Sequence, residues 1–233
     1  MDKRAHTIQS MFSEIAGSYD TANSVLSLGI HHLWKNKLVQ MTPLKDGDSV
    51  LDCATGTGDL ALSYKKKVGP TGHVIGTDFC QAMLDEAPLK AQRQNLDVHF
   101  QWADVTDLKF DDDRFDATSI SFGIRNVEDR NRAFQEMARV TRPGGHVMIL
   151  EFGQIQTPVV RQAYNFYSTK VLPWVGGLVS GKPEAYQYLN DSSQVFPCGQ
   201  DFKKDVLDTN LYRDVQVTPL SFGVAYIYKC QVN

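Results

Sequence analysis

A glycine-rich loop after an apolar segment is the part of the sequence best suited to binding a small molecule. Residues 49–54 are mostly apolar, and they lead into Thr55-Gly56-Thr57-Gly58 and a segment of helical composition. Ligands with nucleotide-like groups bind at such junctions, because glycine has no Cβ and lets the backbone turn sharply and approach a ligand closely. We therefore predict contacts with a ligand at Gly56 and Gly58. The alternative is a tight turn that binds nothing.

Carboxylates around this loop distinguish two classes of ligand. The pattern Gly56-x-Gly58-x-x-Ala61, with Asp78 after the next apolar segment, also fits an NAD-dependent oxidoreductase, so the spacing alone does not decide. A dinucleotide would place its pyrophosphate at the helix N-terminus, where Asp52 and Asp59 would repel it. S-adenosylmethionine has no phosphate and carries two positive groups, so these carboxylates favour it. Asp78 suits either ligand, since a carboxylate accepts hydrogen bonds from ribose hydroxyls.

Three further residues follow later apolar segments. Asp104 and Val105 come after residues 98–102, and they offer a carboxylate and a backbone N–H to an adenine ring. Ser121 ends residues 115–121, at the strand end where open α/β sheets bind ligands. The simpler alternatives are a turn or helix cap at Asp104 and a local backbone hydrogen bond at Ser121.

The elements that must position these residues alternate along the chain. Short β-rich segments and longer helical ones follow one another, which is typical of a doubly wound α/β sheet, mostly parallel, with helices on both faces. Strands are predicted at 49–54, 73–78, 98–102, 115–121 and 146–151, and helices at 60–67, 81–94, 130–141 and 158–172. Two late strands, 214–219 and 225–231, would complete seven strands with an antiparallel edge. We expect a single domain over residues 1–233, with a helical cover (1–45), a cofactor-binding core (46–155) and a substrate side (156–233).

Composition limits the classes of partner. The formal net charge of −3 and the pI near 6.1 offer no basic surface for nucleic acid. The four cysteines are far apart and form no Cys/His cluster, so we expect neither a metal site nor disulfides. With no signal peptide or apolar span apparent, we expect a cytoplasmic protein, at most peripheral at the inner face of a membrane.

Several sequence blocks together resemble the UbiE/MenG family of quinone C-methyltransferases. They are residues 11–20 and 27–35, Thr55-Gly56-Thr57-Gly58-Asp59, Ser121-Phe122-Gly123-Ile124-Arg125-Asn126 and Arg142-Pro143-Gly144-Gly145. The resemblance implies a class I methyltransferase (Rossmann-like) fold and S-adenosylmethionine as the cofactor. It places cofactor contacts at Thr57, Asp78, Asp104, Val105 and Ser121. The chain departs from the family at Thr55, where glycine is more frequent, at Asp104-Val105, often Asn-Ala, and after Pro197.

Methylation of a ring carbon needs an electron-rich ring, so a positive group near a quinol oxygen would help. Arg125 is the preferred electrostatic partner, and Asn126 could orient a hydroxyl or a water molecule. Without the resemblance, an ion pair of Arg125 with Glu128 or Asp129 on a solvated turn would be favoured. Tyr19 and His31, with their neighbours Asp20 and His32, are candidates for the proton acceptor, although each alone fits a packing or surface role equally well.

The resemblance implies a polyprenylated quinol as the methyl acceptor, demethylmenaquinol above all, in menaquinone or ubiquinone biosynthesis. Its tail would need an apolar groove or a bilayer, and the apolar segment 164–179 is one candidate, although such segments are more often core. Peripheral contact with a membrane surface follows as a hypothesis. A homodimer, and a subunit that binds the cofactor without catalysis, are left open.

Overall fold

A seven-stranded mixed sheet organises the fold, as seen in a computed structural model that describes residues 5–155, 162, 169 and 183–233. The strands are β1 (Ser49–Cys53), β2 (His73–Asp78), β3 (His99–Trp102), β4 (Phe115–Ser121), β5 (Thr141–Phe152), β6 (Tyr212–Leu220) and β7 (Ala225–Val232). Their order is β3-β2-β1-β4-β5-β7-β6. The first five are parallel, whereas β7 is antiparallel to both β5 and β6. The predicted sheet, with its antiparallel edge, is confirmed.

Nine helices are described, and three of them precede the sheet. They are α1 (Ala5–Ile15), α2 (Tyr19–Leu26), α3 (Ile30–Met41), α4 (Asp59–Val68), α5 (Gln81–Leu84), α6 (Ala87–Arg93), α7 (Arg130–Val140), α8 (Pro183–Val195) and α9 (Gln200–Leu207). Short 3-10 turns occur at Ile124–Asn126 and Ser221–Gly223. Within the described ranges, no helix has the length and hydrophobicity needed to cross a bilayer.

Apolar side chains bury both faces of the sheet. Successive residues of a strand point to opposite faces, so Val50 and Leu51 enter different cores. Leu51 packs in the core that includes Phe134 of α7 and Phe202 of α9. Val50 belongs to the core that includes residues of α3 and α4. This two-sided burial explains why apolar and polar residues do not alternate at Val50-Leu51 and at 147–150.

Two predicted elements differ from the observed ones. The segment 81–94 forms two helices rather than one, since Pro88 lies in the first turn of α6, where its missing N–H is tolerated. Strand β5 begins at Thr141 and runs through Pro143-Gly144-Gly145 with a shift of register opposite β4, so this turn lies within the strand. Most of the predicted helix 158–172 and the apolar segment 164–179 lie outside the described residues.

The parallel strands bring their carboxyl ends to one edge of the sheet, and α1 lies against this edge. Gln9 Nε2 donates to the carbonyl oxygen of Phe79, just after β2, at 3.0 Å. Ser13 Oγ and Cys80 Sγ are 3.3 Å apart in the same region. The N-terminal helices therefore cover the edge at which ligands bind in sheets of this kind.

Candidate active site

A cavity of about 380 Å³ lies at the carboxyl ends of β1, β2 and β4. Its volume falls in the range of about 300–1,000 Å³ that is usual for small-molecule sites. The predicted residues in its wall are Gly56, Asp78, Asp104, Val105, Ser121 and Asn126, together with Tyr19. The structure thus brings together residues from five separate parts of the sequence.

Asp78 ties the end of β2 to the glycine loop. Its Oδ2 accepts a hydrogen bond from the Gly56 N–H at 2.8 Å, and its Oδ1 accepts from the Cys80 N–H at 2.9 Å. Burial raises the pKa of Asp78 to about 6, although these backbone donors favour the charged form. A carboxylate in this cavity, held by two backbone groups, is well placed to accept hydrogen bonds from a ligand.

The glycine loop presents only part of its length to the cavity. Gly56 lines the cavity and has a φ of +57°, in the left-handed region that favours glycine. Gly58, with a φ of +88°, faces the protein instead, where an added Cβ would lie 2.9–3.0 Å from Phe100 and Ala87. Thr57 is 3% exposed, and its Oγ1 donates to Asp20 Oδ1 at 2.7 Å. In this structure, Thr57 and Gly58 shape the loop and are not part of the cavity wall.

Asp52 lies inside the sheet end and not in the cavity wall. Its Oδ2 accepts from Thr55 Oγ1 at 2.6 Å, and its Oδ1 accepts from Ser119 Oγ at 2.7 Å. Burial raises its pKa to about 6. Both oxygens are therefore engaged within the protein, and Asp52 supports the loop through Thr55.

Asp59 is neutralised by two lysines. Its carboxylate lies 3.1 Å from Lys35 Nζ and 2.6 Å from Lys90 Nζ, and Lys90 also pairs with Asp20 at 2.5 Å. Burial alone would raise the pKa of Asp59, but the two ammonium groups outweigh it and hold that pKa well below its usual range. The repulsion expected between Asp59 and a pyrophosphate is therefore weaker than its charge suggests.

Asp104 and Ser121 both line the cavity but differ in their partners. Asp104 Oδ1 accepts from the Thr106 N–H at 2.8 Å and from Thr106 Oγ1 at 2.7 Å, as in the turn that was the simpler alternative. The buried Oγ of Ser121 has no hydrogen-bond partner among the described residues. A buried hydroxyl without a partner is unfavourable in the free protein, so a polar ligand here would satisfy it.

A second, largely apolar cavity of about 370 Å³ adjoins the first. Phe12, Tyr19 and Phe122 contribute to the walls of both cavities. Beyond them, Trp34 and Phe152 continue the second wall, with ring centroids 6.3 Å apart. An aromatic partition thus separates a mixed polar cavity from an apolar one.

Arg125 lies in the wall of the apolar cavity and is only 3% exposed. Its Nη1 is 2.8 Å from Glu151 Oε1 and donates to the Phe122 carbonyl oxygen at 2.6 Å. Its Nε donates to Ser192 Oγ at 3.3 Å, and its guanidinium carbon is 5.3 Å from the centroid of the Phe152 ring. The expected alternative, a pair with Glu128 or Asp129 on a solvated turn, is wrong, because the partner is the fully buried Glu151.

The other candidate catalytic residues also lie at the two cavities. Asn126 lines the first cavity, and its Oδ1 accepts from Tyr188 OH at 3.1 Å. Burial raises the pKa of Tyr19 to about 12. His31 lines the second cavity, shares a 2.6 Å hydrogen bond between its Nδ1 and Ser27 Oγ, and has its pKa lowered by burial to about 4.

One cluster among the described residues has the composition of a metal site. Ligand atoms of His31, His32 and Asp59 lie within 4.8 Å of one another. Lys35 and Lys90 already pair with Asp59. Two ammonium groups on the only anionic member disfavour a cation at this position.

Sequence reasoning did not assign roles to Glu151, Ser192 or Tyr188. Glu151 is the residue before the last of β5, so the rule that placed Ser121 at a strand end could have indicated it. Ser192 and Tyr188 lie on α8, more than 60 residues from their partners Arg125 and Asn126. No local pattern predicts such a distant pairing.

Comparison with known proteins identifies the family of this chain. The model of the ubiE/COQ5 methyltransferase family matches residues 1–231. This chain belongs to that family. Among its relatives is the ubiquinone/menaquinone biosynthesis C-methyltransferase UbiE of Bdellovibrio bacteriovorus, 56% identical over 226 residues, which cover 97% of this chain and 96% of that protein. The protein of the same description from Roseobacter denitrificans is 37% identical over 228 residues, covering 97% and 90%.

Solved structures of other methyltransferases have a fold similar to that of this chain. A methyltransferase from Thermotoga maritima, described as a possible histamine N-methyltransferase, superimposes with a TM-score of 0.67 at 14% identity, covering 96% of this chain and 99% of that one. A putative methyltransferase from Methanococcus maripaludis gives a TM-score of 0.65 at 17% identity, covering 94% and 92%. At these identities the likeness concerns the fold alone.

Membership of the ubiE/COQ5 methyltransferase family confirms the resemblance seen in the sequence. It also confirms that the chain is a methyltransferase that uses S-adenosylmethionine. The NAD-dependent oxidoreductase is thereby excluded. The cavity fits this cofactor, since Asp78 offers acceptors and the buried hydroxyl of Ser121 lacks a protein partner.

Proposed function

We propose that the chain transfers a methyl group from S-adenosylmethionine to a ring carbon of a polyprenylated quinol, with demethylmenaquinol as the first candidate and a ubiquinone precursor as the second. The observation that carries this proposal is the pair of adjoining cavities that share Phe12, Tyr19 and Phe122. The mixed cavity suits the cofactor, and the apolar cavity suits a quinol ring with the beginning of its tail. The relatives' description as ubiquinone/menaquinone biosynthesis C-methyltransferases supports the same substrate class.

Within the first cavity, we assign direct cofactor contacts to five residues. Asp78 would accept from the ribose hydroxyls, and Asp104 and the Val105 N–H would meet the adenine. Ser121 and Gly56 would lie against the rest of the cofactor. We assign Asp52, Thr57 and Gly58 to the support of the loop, because their polar or backbone groups contact other parts of the protein.

In the second cavity, the chain's own residues would favour the anionic form of the quinol. When bound, S-adenosylmethionine would supply an electrophilic methyl group and leave as S-adenosylhomocysteine, and the methylated ring carbon would lose its proton. Arg125 would stabilise the developing oxyanion in the second cavity, whereas Asn126, in the wall of the first, would orient a hydroxyl or a water molecule. Tyr19 keeps its proton at neutral pH, so it cannot act as the base, whereas His31 is neutral at that pH and able to accept a proton.

We also propose where the protein works. The chain would act as one domain over residues 1–233, in the cytoplasm, in peripheral contact with the inner face of the membrane. The lipid nature of the substrate supports such a contact. Sedimentation of the purified chain measures whether it forms a homodimer.

The purified chain, supplied with S-adenosylmethionine and demethylmenaquinol or a demethylated benzoquinol precursor, tests the reaction. We expect a C-methylated quinol, and the relative kcat/KM of the two acceptors names the substrate. Arg125→Ala should mainly lower turnover, whereas Asp78→Ala should mainly weaken cofactor binding. Tight binding of S-adenosylhomocysteine without turnover of any quinol would instead favour a non-catalytic subunit.

A further inference from the structure

Two of the most exposed apolar side chains in the described part of the chain share an unusual backbone conformation. Leu28 is 90% exposed and Phe222 is 76% exposed. Their φ angles are +49° and +60°, in the left-handed region that large side chains rarely adopt. Each residue therefore departs from two local rules at once, and such departures concentrate at functional sites.

Leu28 lies in the wall of the apolar cavity, and Phe222 lies between two residues of that wall in the sequence, Ser221 and Val224. Trp34 Nε1 donates to Ser221 Oγ at 3.1 Å, which connects α3 with the turn that carries Phe222. Leu33, which precedes Trp34 on α3, is 65% exposed. We call Leu28, Leu33 and Phe222 the apolar rim.

Positive groups lie beside the apolar rim. A small polar cavity of about 140 Å³ is lined by His32, Lys35, Lys66 and Asp59, among others. His32 and Lys35 flank Leu33 and Trp34 on α3. Lys35 is partly neutralised by Asp59, so Lys66 supplies the more available positive charge. Apolar side chains next to lysines are the combination with which peripheral proteins bind anionic bilayers.

We propose that the apolar rim docks on an anionic bilayer, with the opening of the apolar cavity turned towards the lipid. The quinol ring then enters the cavity from the membrane while its prenyl tail stays in the lipid. A polar protein partner would leave Leu28 and Phe222 exposed, whereas a bilayer covers them and is continuous with the lipophilic substrate. This inference rests on the proposed prenylated acceptor and specifies the surface that meets the membrane.

Co-sedimentation with vesicles of phosphatidylglycerol and phosphatidylcholine tests the docking surface. We expect the double variant Leu33→Asp/Phe222→Asp to lower the partition coefficient by about tenfold or more, because it replaces apolar groups with charges that anionic lipid repels. Leu89→Asp is the control: Leu89 is 49% exposed on α6 and is not part of the apolar rim, so its replacement should leave binding unchanged. Vesicles of phosphatidylcholine alone should bind the wild-type chain more weakly.

Two further measurements test the docking surface independently of the methyl transfer. Leu33 and Phe222 are outside the cavity wall, so the double variant should keep wild-type kcat/KM for a short-tailed, water-soluble quinol and lose activity only with a long-tailed quinol in vesicles. The chain already has three tryptophans, so the emission of the wild type is subtracted from that of Phe222→Trp. The difference should shift to shorter wavelength when anionic vesicles are added, as the emission of an indole does on entering an apolar environment.

Sedimentation of the double variant equal to that of the wild type would overturn the docking surface while leaving the membrane contact in place. Failure of the wild-type chain to bind any vesicle would overturn both. A wild-type dimer that the double variant converts to a monomer, without any vesicle binding, would assign the rim to a second copy of the chain. Lack of activity with the water-soluble quinol would count against the proposed reaction and not against the surface.

Discussion

At the scale of single residues, Glu151 determines where Arg125 can act. Glu151 is fully buried, and its carboxylate contacts both Nη1 and the backbone N–H of Arg125. A buried ion pair of this kind adds little net stability, because removing two charges from water offsets their attraction. Its effect is positional, since it fixes the guanidinium in the wall of the apolar cavity.

Glu151→Gln should therefore change catalysis as well as stability. We expect kcat to fall by about ten- to a hundredfold, because a small displacement of a catalytic group has this effect. Without the carboxylate of Glu151, the positive charge of Arg125 is no longer compensated, and this lowers the pKa of the bound quinol. The acidic limb of the kcat profile should therefore shift to lower pH. Steady-state kinetics between pH 5 and 9 measure both changes.

Glu136→Gln is the control for this variant. Glu136 is 3% exposed and pairs with Arg139 at 2.8 Å, away from both cavities. Glu136→Gln should lower the free energy of unfolding, because Arg132 and Arg139 lose an anionic partner, and it should leave the pH profile unchanged. An identical pH profile for Glu151→Gln and the wild type would show that Glu151 only stabilises the fold.

Asp78 gives cofactor binding a dependence on pH. Its pKa is raised by burial to about 6, so the carboxylate is charged above that pH and becomes protonated as the pH falls through 6. Only the charged form accepts hydrogen bonds at both oxygens. We expect the affinity for S-adenosylhomocysteine to fall by up to about tenfold per pH unit below 6. Calorimetry from pH 5 to 8 tests this, and Asp78→Asn should bind more weakly with a flatter profile.

At the scale of elements, a polar network fastens the N-terminal helices to the cofactor loop. Asp20 of α2 contacts Thr57 of the loop and Lys90 of α6, and Lys90 also pairs with Asp59 at the start of α4. Lys35 of α3 completes the network at Asp59. Three separate helices thus converge on one turn of the chain.

Lys90→Met should loosen this network without removing a group from the cavity wall. We expect the affinity for S-adenosylhomocysteine to fall by about two- to fivefold, consistent with about 0.2–1 kcal/mol for a partly exposed ion pair. Added salt screens the ion pairs, so it should lower the affinity of the wild type towards that of the variant. Lys204→Met, which breaks the exposed Lys204–Asp208 pair, should have no effect on binding. Equal affinities of Lys90→Met and wild type at low salt would contradict the role of the network.

The elements also show what the sequence can and cannot predict. Strands β2 and β4 are predicted to the residue, because turn residues precede each of them and both contain apolar and β-branched residues. Asp78 and Ser121 follow from the rule that ligands bind at strand ends. The contacts of Asp20 with Thr57 and of Ser192 with Arg125 join residues 37 and 67 positions apart. Such contacts depend on tertiary packing, which no local window contains.

The electrostatic effect of the carboxylates at the loop depends on partners that are distant in the sequence. The sequence shows Asp52 and Asp59 beside the glycines, but it does not show that Lys35 and Lys90 neutralise Asp59. Nor does it show that hydroxyls of Thr55 and Ser119 enclose Asp52. The choice of S-adenosylmethionine is correct, yet it is the family match that secures it.

At the scale of the whole molecule, ligand binding should be visible as a gain in stability. A ligand at about 100 times its Kd stabilises the folded state by about 2.7 kcal/mol. For a chain of this size, each kcal/mol raises Tm by about 2–4 °C. We expect S-adenosylhomocysteine to raise Tm by about 5–10 °C in differential scanning calorimetry, and NAD at the same concentration to leave it unchanged. A comparable rise with NAD would contradict the assignment of the cavity.

The aromatic partition of Phe12, Tyr19 and Phe122 has a thermodynamic consequence, because each of these side chains touches both ligands' cavities. A change in the packing of these three rings on cofactor binding would change the affinity for the quinol, and the reverse holds equally. By linkage, the factor by which a bound cofactor analogue tightens the quinol must equal the factor by which the quinol tightens the analogue. On the proposed assignment of the two cavities, we expect each ligand to act as an effector of the other through these three rings.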